Sequence, residues 1–250
     1  MCTLEKRGDL FLLTLTGDTK KDQEHRLSPQ LISSIRSALA EVKSQAVNGS
    51  ALVTSAQGRF FSNGFDLRHA QAVGVKAGST QAAMAELLRM VDLFKGVVAD
   101  LLSLPMPTIA AVTGHAAAAG LILAMSHDYV MMTSSRGVMY MSELDIGMTL
   151  PDYFTALIRA KVGSAGARRE LVLLAAKVGA ARAAEMGIVD SAHGSARRWW
   201  MLRCGRGRVG EEEVERRSVR RDQEGVVSGG LWVVGVERCD CSSFQTLRNY

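Results

Sequence analysis

From Pro107 to Met132 the chain reads PTIAAVTGHAAAAGLILAMSHDYVMM, an apolar strand-like run and an apolar helix-like run joined through glycines, alanines and one histidine. Ile109 to Val112 follows two prolines and has the length of a buried strand. Gly120 to Met125 fits the buried face of a helix ending near Ser126-His127-Asp128. Gly114 to Gly120 between them reads as a loop of almost bare backbone. Such a loop lets another molecule approach the main chain, and the first N–H groups of the following helix lack helical partners, so they are available to negative charge. A tight strand-to-helix turn with no ligand is the plainer alternative for this segment alone.

A second stretch of the same kind, Arg59-Phe60-Phe61-Ser62-Asn63-Gly64-Phe65-Asp66-Leu67-Arg68, precedes it by about fifty residues. Two loops can aim two N–H groups at one oxygen, the oxyanion-hole arrangement of enzymes that develop charge on a carbonyl oxygen. The pair F-S-N-G-F-D-L and P-T-I-A-A-V-T-G-H-A-A-A-A-G-L resembles the enoyl-CoA hydratase/isomerase (crotonase) family. Y-M-S-E-L-D-I-G, from Tyr140 to Gly147, is most similar to the plant peroxisomal Δ3,Δ2-enoyl-CoA isomerases within it. The resemblance covers about Met1 to Asp190 and stops there. It implies an α/β, crotonase-like fold of repeated ββα units.

The 250 residues suffice for one large domain, and 47% hydrophobic with 22% charged residues suits a soluble globular chain. No apolar run of eighteen residues exists and the first residues lack a signal peptide's apolar region, so neither membrane insertion nor secretion is expected. Cys2, Cys204, Cys239 and Cys241 have no paired spacing or partner histidines, which excludes a disulfide framework or zinc site as the reading. The net charge of +5 is spread: residues 1 to 194 hold nineteen Lys and Arg against seventeen Asp and Glu. That near-neutral body, without a basic stripe interleaved with aromatics, argues against nucleic acid as a partner.

Along the chain, Leu10 to Thr16 is expected as a strand closed by Gly17-Asp18, and Ala51 to Thr54 as a second. Ser28-Pro29 supplies an N-cap and a first-turn proline to a helix reaching Lys43. Ala82 to Leu104 keeps helical spacing up to Pro105 and Pro107. Tyr129 to Thr133 and Gly137 to Met141 read as strands, Pro151-Asp152 as a helix start, and Arg168 to Lys177 and Ala180 to Met186 as helices. Gly187 to Asp190 resembles the family's next turn and short strand.

After Gly194 the texture changes. Lysine is absent beyond Lys177, while eleven of twenty-two arginines, all three tryptophans and three of four cysteines lie past residue 194. We therefore divide the chain into a catalytic domain over 1–193 and a tail over 194–250 that does not match the family. An altered reading frame or splice would give such a tail, expected to be poorly packed with Trp199, Trp200 and Trp232 exposed.

Glu143 is the candidate base. Its apolar setting of Met139, Met141, Leu144 and Ile146 should raise the carboxyl's pKa toward neutrality by desolvation. Capping or pairing at a strand end is the alternative from the residues alone; the resemblance places Glu143 on the family's catalytic glutamate, with Gly147 completing E-x-x-x-G. By the same matching, the oxyanion donors are the backbone N–H groups of Phe65 and Ala119, the latter standing where many relatives have glycine. Arg59, Ser62, Asn63, Gly64, Asp66, Leu67, Arg68 and Gly120 match substrate-contacting positions, with Arg59 and Arg68 where relatives approach the CoA phosphates or, equally, solvated surface arginines.

Ile122 is the informative departure. Hydratases of the family carry a second glutamate there to activate water, which isoleucine cannot do. Asp152, the nearby alternative carboxylate, reads as a helix-start residue, while His115 and His127 read as packed or surface histidines. The resemblance thus implies an isomerase converting 3-enoyl-CoA to 2-trans-enoyl-CoA in fatty-acid β-oxidation. Its partners would be an acyl-CoA thioester and further copies of itself, as a trimer or hexamer, with no metal and no cofactor beyond the substrate's own CoA. A hydratase or other enolate-forming acyl-CoA enzyme is the alternative within catalysis, and a catalytically impaired variant that only binds acyl-CoA or sister subunits the alternative outside it. The relatives' compartment is the peroxisome, although this chain ends Arg248-Asn249-Tyr250 rather than in a Ser-Lys-Leu-type address, so a cytoplasmic location is the other expectation.

Overall fold

In the computed structural model, which describes residues 1–17 and 24–194, strand, strand and helix recur along the chain. β1 (Cys2–Arg7) and β2 (Leu10–Leu15) precede α1 (Pro29–Ser44); β3 (Ala51–Ala56) and β4 (Phe60–Ser62) precede α2 (Leu67–Ala77) and α3 (Thr80–Leu102). Then come β5 (Thr108–Val112), β6 (His115–Ala117) and α4 (Ala119–Met125), followed by β7 (Tyr129–Thr133), β8 (Met139–Tyr140), a 3-10 turn (Leu144–Ile146) and α5 (Asp152–Lys161). Helices α6 (Ala165–Arg168) and α7 (Ala180–Glu185) lead to β9 (Ser191–His193). The expected repeated ββα architecture is present.

The first strand of each unit joins a six-stranded sheet of order β1-β2-β3-β5-β7-β9, antiparallel only between β1 and β2. The middle strands are apolar on both faces: Phe11, Leu13 and Leu15 enter the main core, whereas Leu12 meets Val53 and Ala111 on the other side. That two-sided burial explains why these runs read as continuous apolar stretches rather than alternating ones. The second strands of three units form a small parallel sheet of order β4-β6-β8.

Ser28 caps α1 as expected, its Oγ accepting from Leu31 N–H at 3.2 Å, and Leu31, Ile32, Ile35, Leu39 and Val42 fill the buried face. Every residue of α4 is buried, so this short helix is core on all sides. His127, just beyond it, is 0% exposed, with Nδ1 2.9 Å from Leu123 O and Nε2 2.7 Å from Thr54 Oγ1. Because a carbonyl only accepts, the ring proton sits on Nδ1 and Nε2 accepts from the Thr54 hydroxyl. Lys161 Nζ donates to His127 O at 2.9 Å, tying α5 to the same corner. Burial lowers the pKa of this imidazole to about 4.

Two expectations are corrected, and two elements were unanticipated. Gly114 to Gly120 is not loop throughout, because His115–Ala117 pairs as β6 between β4 and β8. The helix expected over Arg168–Lys177 ends early: α6 passes into a π-turn, Arg169–Leu173, and Leu173 and Leu174 are 62% and 73% exposed. β1 and α2 were unanticipated, the first because its burial pattern alternates weakly, the second because it buries only Ala70 and Gly74. The expectations for Trp199, Trp200, Trp232 and the rest of the tail beyond Gly194 lie outside the described residues.

Candidate active site

The small sheet organises the site. β4, β6 and β8 run parallel, so the segments leaving their carboxyl ends lie side by side: Asn63-Gly64-Phe65 after β4, Ala118-Ala119 after β6, and Ser142-Glu143 after β8. Carboxyl ends of parallel strands are where α/β proteins gather ligand-binding loops.

Phe65 is held by a bridge to Leu27. Leu27 N–H donates to Gly64 O at 2.8 Å and Asp66 N–H to Leu27 O at 3.4 Å. Strand alternation turns the intervening Phe65 N–H the other way, and no acceptor among the described residues takes it. Ala119 opens α4, where an N–H has no helical partner, and none among the described residues takes this one either. A Cβ built on Gly64 (φ +73°) would lie 3.1 Å from Ala118 Cβ, 3.2 Å from Ala117 O and 3.5 Å from Ala119 N, so the two donor-bearing segments are in contact.

The backbone that aims Ala119 is strained. Ala118 has φ 52° and ψ −127°, a region L-residues avoid; its N–H donates to Tyr140 O at 2.9 Å and its carbonyl accepts from Leu121 and Ile122. The surrounding hydrogen bonds fix a conformation that alanine would not choose. Sequence reading passed over this residue because nothing in an alanine run marks which one departs from the ordinary.

Glu143 follows β8, and its carbonyl accepts from Met148 N–H at 2.8 Å in a turn closed by Gly147 (φ 71°). Its side chain is buried, and Oε2 has no hydrogen-bond partner among the described residues. Burial raises the carboxyl's pKa, opposed by hydrogen bonds from the Glu143 and Ser142 backbone. The apolar setting is narrower than expected: Met139 and Met141 are 0% and 1% exposed, but Leu144 and Ile146 are 42% and 56% exposed. A buried carboxyl with one unused oxygen can accept and return a proton.

Aromatic rings back the Phe65 segment. The Phe65 ring meets Phe94 edge-on at 5.6 Å and stacks on Phe154 at 6.3 Å, while Tyr153 donates its hydroxyl to Val91 O at 2.9 Å. These α3 and α5 contacts were also missed, having no local signature. A groove of about 460 Å³ lies between α3 and the start of α5, lined by Leu88, Val91, Lys95, Pro151, Asp152 and Tyr153 among others; none of the expected site residues lines it.

The other expected residues divide. Gly120 presses against Ser62, whose Oγ donates to His25 O at 2.8 Å. Asn63 N–H donates to Glu24 O at 2.8 Å. Asp66 caps α2 by accepting from His69 N–H at 3.1 Å, Leu67 is the first residue of that helix, and Arg68 is exposed on its first turn. Arg59 is not brought to this edge: it precedes β4 at the opposite end, its guanidinium 5.8 Å from the Phe60 ring and 3.4 Å from His115 Nε2. Ile122 is 0% exposed, and Asp152 opens α5 as expected. Among the described residues no group of three His, Cys, Asp or Glu could hold a metal, and no described helix is long and apolar enough to cross a membrane.

The family described as enoyl-CoA hydratase/isomerase matches residues 19–197. Enoyl-CoA delta isomerase 2, peroxisomal, from Arabidopsis thaliana is 61% identical over 192 residues, covering 77% of each chain. Enoyl-CoA delta isomerase 3 from the same plant is 57% identical over 197 residues, covering 78% of this chain and 79% of its own. The crystal structure of an enoyl-CoA hydratase/isomerase family protein from Silicibacter pomeroyi superposes with a TM-score of 0.67 at 22% identity, covering 81% of this chain and 82% of its own. A match across most of the length, with relatives identical at more than half of the aligned positions, means that the chain belongs to the enoyl-CoA hydratase/isomerase family.

Proposed function

We propose that this protein is a Δ3,Δ2-enoyl-CoA isomerase that moves the double bond of a 3-enoyl-CoA to give 2-trans-enoyl-CoA, the step that feeds such chains into β-oxidation. The observation that carries the reading is the buried Glu143 carboxyl, whose Oε2 has no partner among the described residues, on the same sheet edge as two N–H groups that find no acceptor among them. The names of its Arabidopsis relatives support the reaction class, and Ile122 supports isomerisation over hydration because it offers no second carboxylate.

In this mechanism Glu143 removes a proton from C2. The electron pair of that C–H bond forms the C1=C2 bond of a dienolate, and negative charge moves onto the thioester oxygen. Phe65 N–H and Ala119 N–H donate to that oxygen and stabilise the charge as it develops. Glu143 then returns the proton to C4, where the C3=C4 pair forms the new C4–H bond; the C1=C2 pair shifts to C2=C3, and an oxygen lone pair reforms the thioester carbonyl, with no net loss of atoms. The raised pKa of Glu143 suits a group that must hold a proton between two steps. Asn63, Gly64, Asp66, Leu67 and Gly120 shape the walls of this site, and Arg68 is the basic residue on the same edge for CoA phosphate. Assembly with further copies of the chain and a peroxisomal location belong to the same proposal.

The test is the purified chain incubated with a 3-enoyl-CoA and, separately, with a 2-enoyl-CoA. The first should be isomerised and the second should not gain water. Efficient formation of 3-hydroxyacyl-CoA, or no isomerisation at all, would overturn the reading.

A further inference from the structure

The helix that follows Phe65 has little apolar anchorage. Of its eleven residues α2 buries only Ala70 and Gly74, and Val75 is 81% exposed. Apolar burial stabilises in proportion to area, and a methyl group and a bare glycine offer little of it. Their use is close approach instead: a Cβ on Gly74 would lie 2.6 Å from Ala83 Cβ on α3.

In the first turn half-buried Leu67 packs against the main core, and the remaining hold on α3 is polar. His69 Nε2 lies 2.8 Å from Glu86 Oε1 on α3, and Arg89 donates to the same carboxylate through Nη2 at 2.7 Å and Nε at 2.8 Å. An ionised carboxylate only accepts, so His69 Nε2 carries the proton and donates. The Glu86 side chain is 11% exposed, against 31% for His69, so this bond is shielded better than an ordinary surface pair. Arg89 lowers the Glu86 carboxyl to about 2, burial opposing and His69 assisting. On its other side His69 gives its backbone N–H to Asp66 Oδ1 at 3.1 Å, and Asp66 is bonded through its own N–H to Leu27 O. A continuous set of bonds thus runs from α3 through His69 and Asp66 to the residue beside Phe65.

We infer that His69 is a positioning residue, whose bond to Glu86 anchors the start of α2 and thereby keeps the Phe65 N–H aimed with that of Ala119. The inference rests on the isomerase reading for its kinetic consequence, though not for its structural one. An N–H that donates mainly to the developing oxyanion stabilises the transition state more than the bound substrate, so loosening it lowers kcat more than it raises KM.

The experiment compares wild type, His69→Ala, His69→Gln and Glu86→Leu in steady-state isomerisation and in amide hydrogen exchange. His69→Ala should lose about tenfold or more in kcat, short of the 10²–10³ for outright loss of a donor, with KM changed less than threefold. His69→Gln, whose amide can still donate to Glu86, should stay within about threefold of wild type. Glu86→Leu should lose as much as His69→Ala, and the double variant no more than either. Equal kcat in His69→Ala and wild type, or equal losses in His69→Ala and His69→Gln, would overturn the assignment. An inactive wild type sinks the isomerase reading instead, and the anchor is then read from exchange: the hydrogen-bonded Asp66 and α2 amides should exchange at least tenfold faster in His69→Ala than in His69→Gln, and equal rates would sink the anchor too.

Discussion

A Cβ placed on Gly120 would lie 2.3 Å from the carbonyl oxygen of Ser62 and 2.8 Å from its carbonyl carbon. Neither atom belongs to a flexible side-chain end, so the clash is relieved only by moving β4 away from α4. Those two segments carry the proposed oxyanion donors. Gly120→Ala should therefore lower kcat by about 10²–10³-fold, the loss typical of one misplaced donor, with a smaller effect on KM. Wild-type kcat in a folded Gly120→Ala protein would remove the Ala119 N–H from the proposed site.

Glu143 links activity to stability with opposite signs. Its folded-state pKa is raised above the ordinary 4.5, so the folded chain binds that proton more strongly than the unfolded chain. Its stabilising contribution is then full below pH 4.5 and is lost as pH rises through the folded value. Glu143→Gln, which cannot ionise, should melt higher than wild type at pH 7 and lose that advantage near pH 4, while isomerisation falls by about 10²–10⁴-fold. Thermal melts across that range with parallel assays check both halves; a variant less stable at pH 7 contradicts the burial argument.

Ala118 at φ 52° and ψ −127° stores strain of about 1–3 kcal/mol. Glycine relieves it but gives the unfolded chain extra freedom worth roughly 0.5–1 kcal/mol. The net expectation for Ala118→Gly is a gain of about 1 kcal/mol with turnover retained. Ala118→Val should lose both stability and activity. Denaturant titration of the two variants decides this, and a destabilised glycine variant would mean that the conformation costs nothing.

His127 predicts an acid limb. Its folded pKa is lowered from 6.5 to about 4 by burial, so its contribution is present above pH 6.5 and lost as pH falls through 4. The loss is on the order of 3 kcal/mol at the full shift. His127→Gln should be less stable than wild type at pH 7 and should lack that limb. A wild-type melting temperature flat between pH 6.5 and 4 would argue against a neutral, buried ring.

Much of this was legible in the sequence, for a physical reason in each case. The strands read as apolar runs because both faces of β2, β3 and β5 are covered, and Ser28-Pro29 marked α1 because capping chemistry is local. Gly64 and Gly120 stood out because close backbone contact excludes a side chain. What escaped was whatever depends on distant partners or on small residues. β6 is three residues whose role lies in pairing with β4 and β8, and α2 shows no apolar period because its contact face is an alanine and a glycine. Arg59, placed by its match to basic positions of the family, stands before β4 with its guanidinium 3.4 Å from His115 Nε2, a contact across strands that no local pattern announces.

The small sheet pairs Phe60 with His115 and Ala116 with Met139, so the site's three segments become neighbours only when long intervening loops have closed. Closing such loops costs chain entropy before any contact rewards it, whereas α1 and α3 form through bonds four residues apart. On refolding, turnover should therefore return behind the helical far-UV signal, and a stopped-flow comparison of the two recoveries would detect the lag. Catalytic competence thus reports completion of the domain's topology rather than formation of any one of its parts.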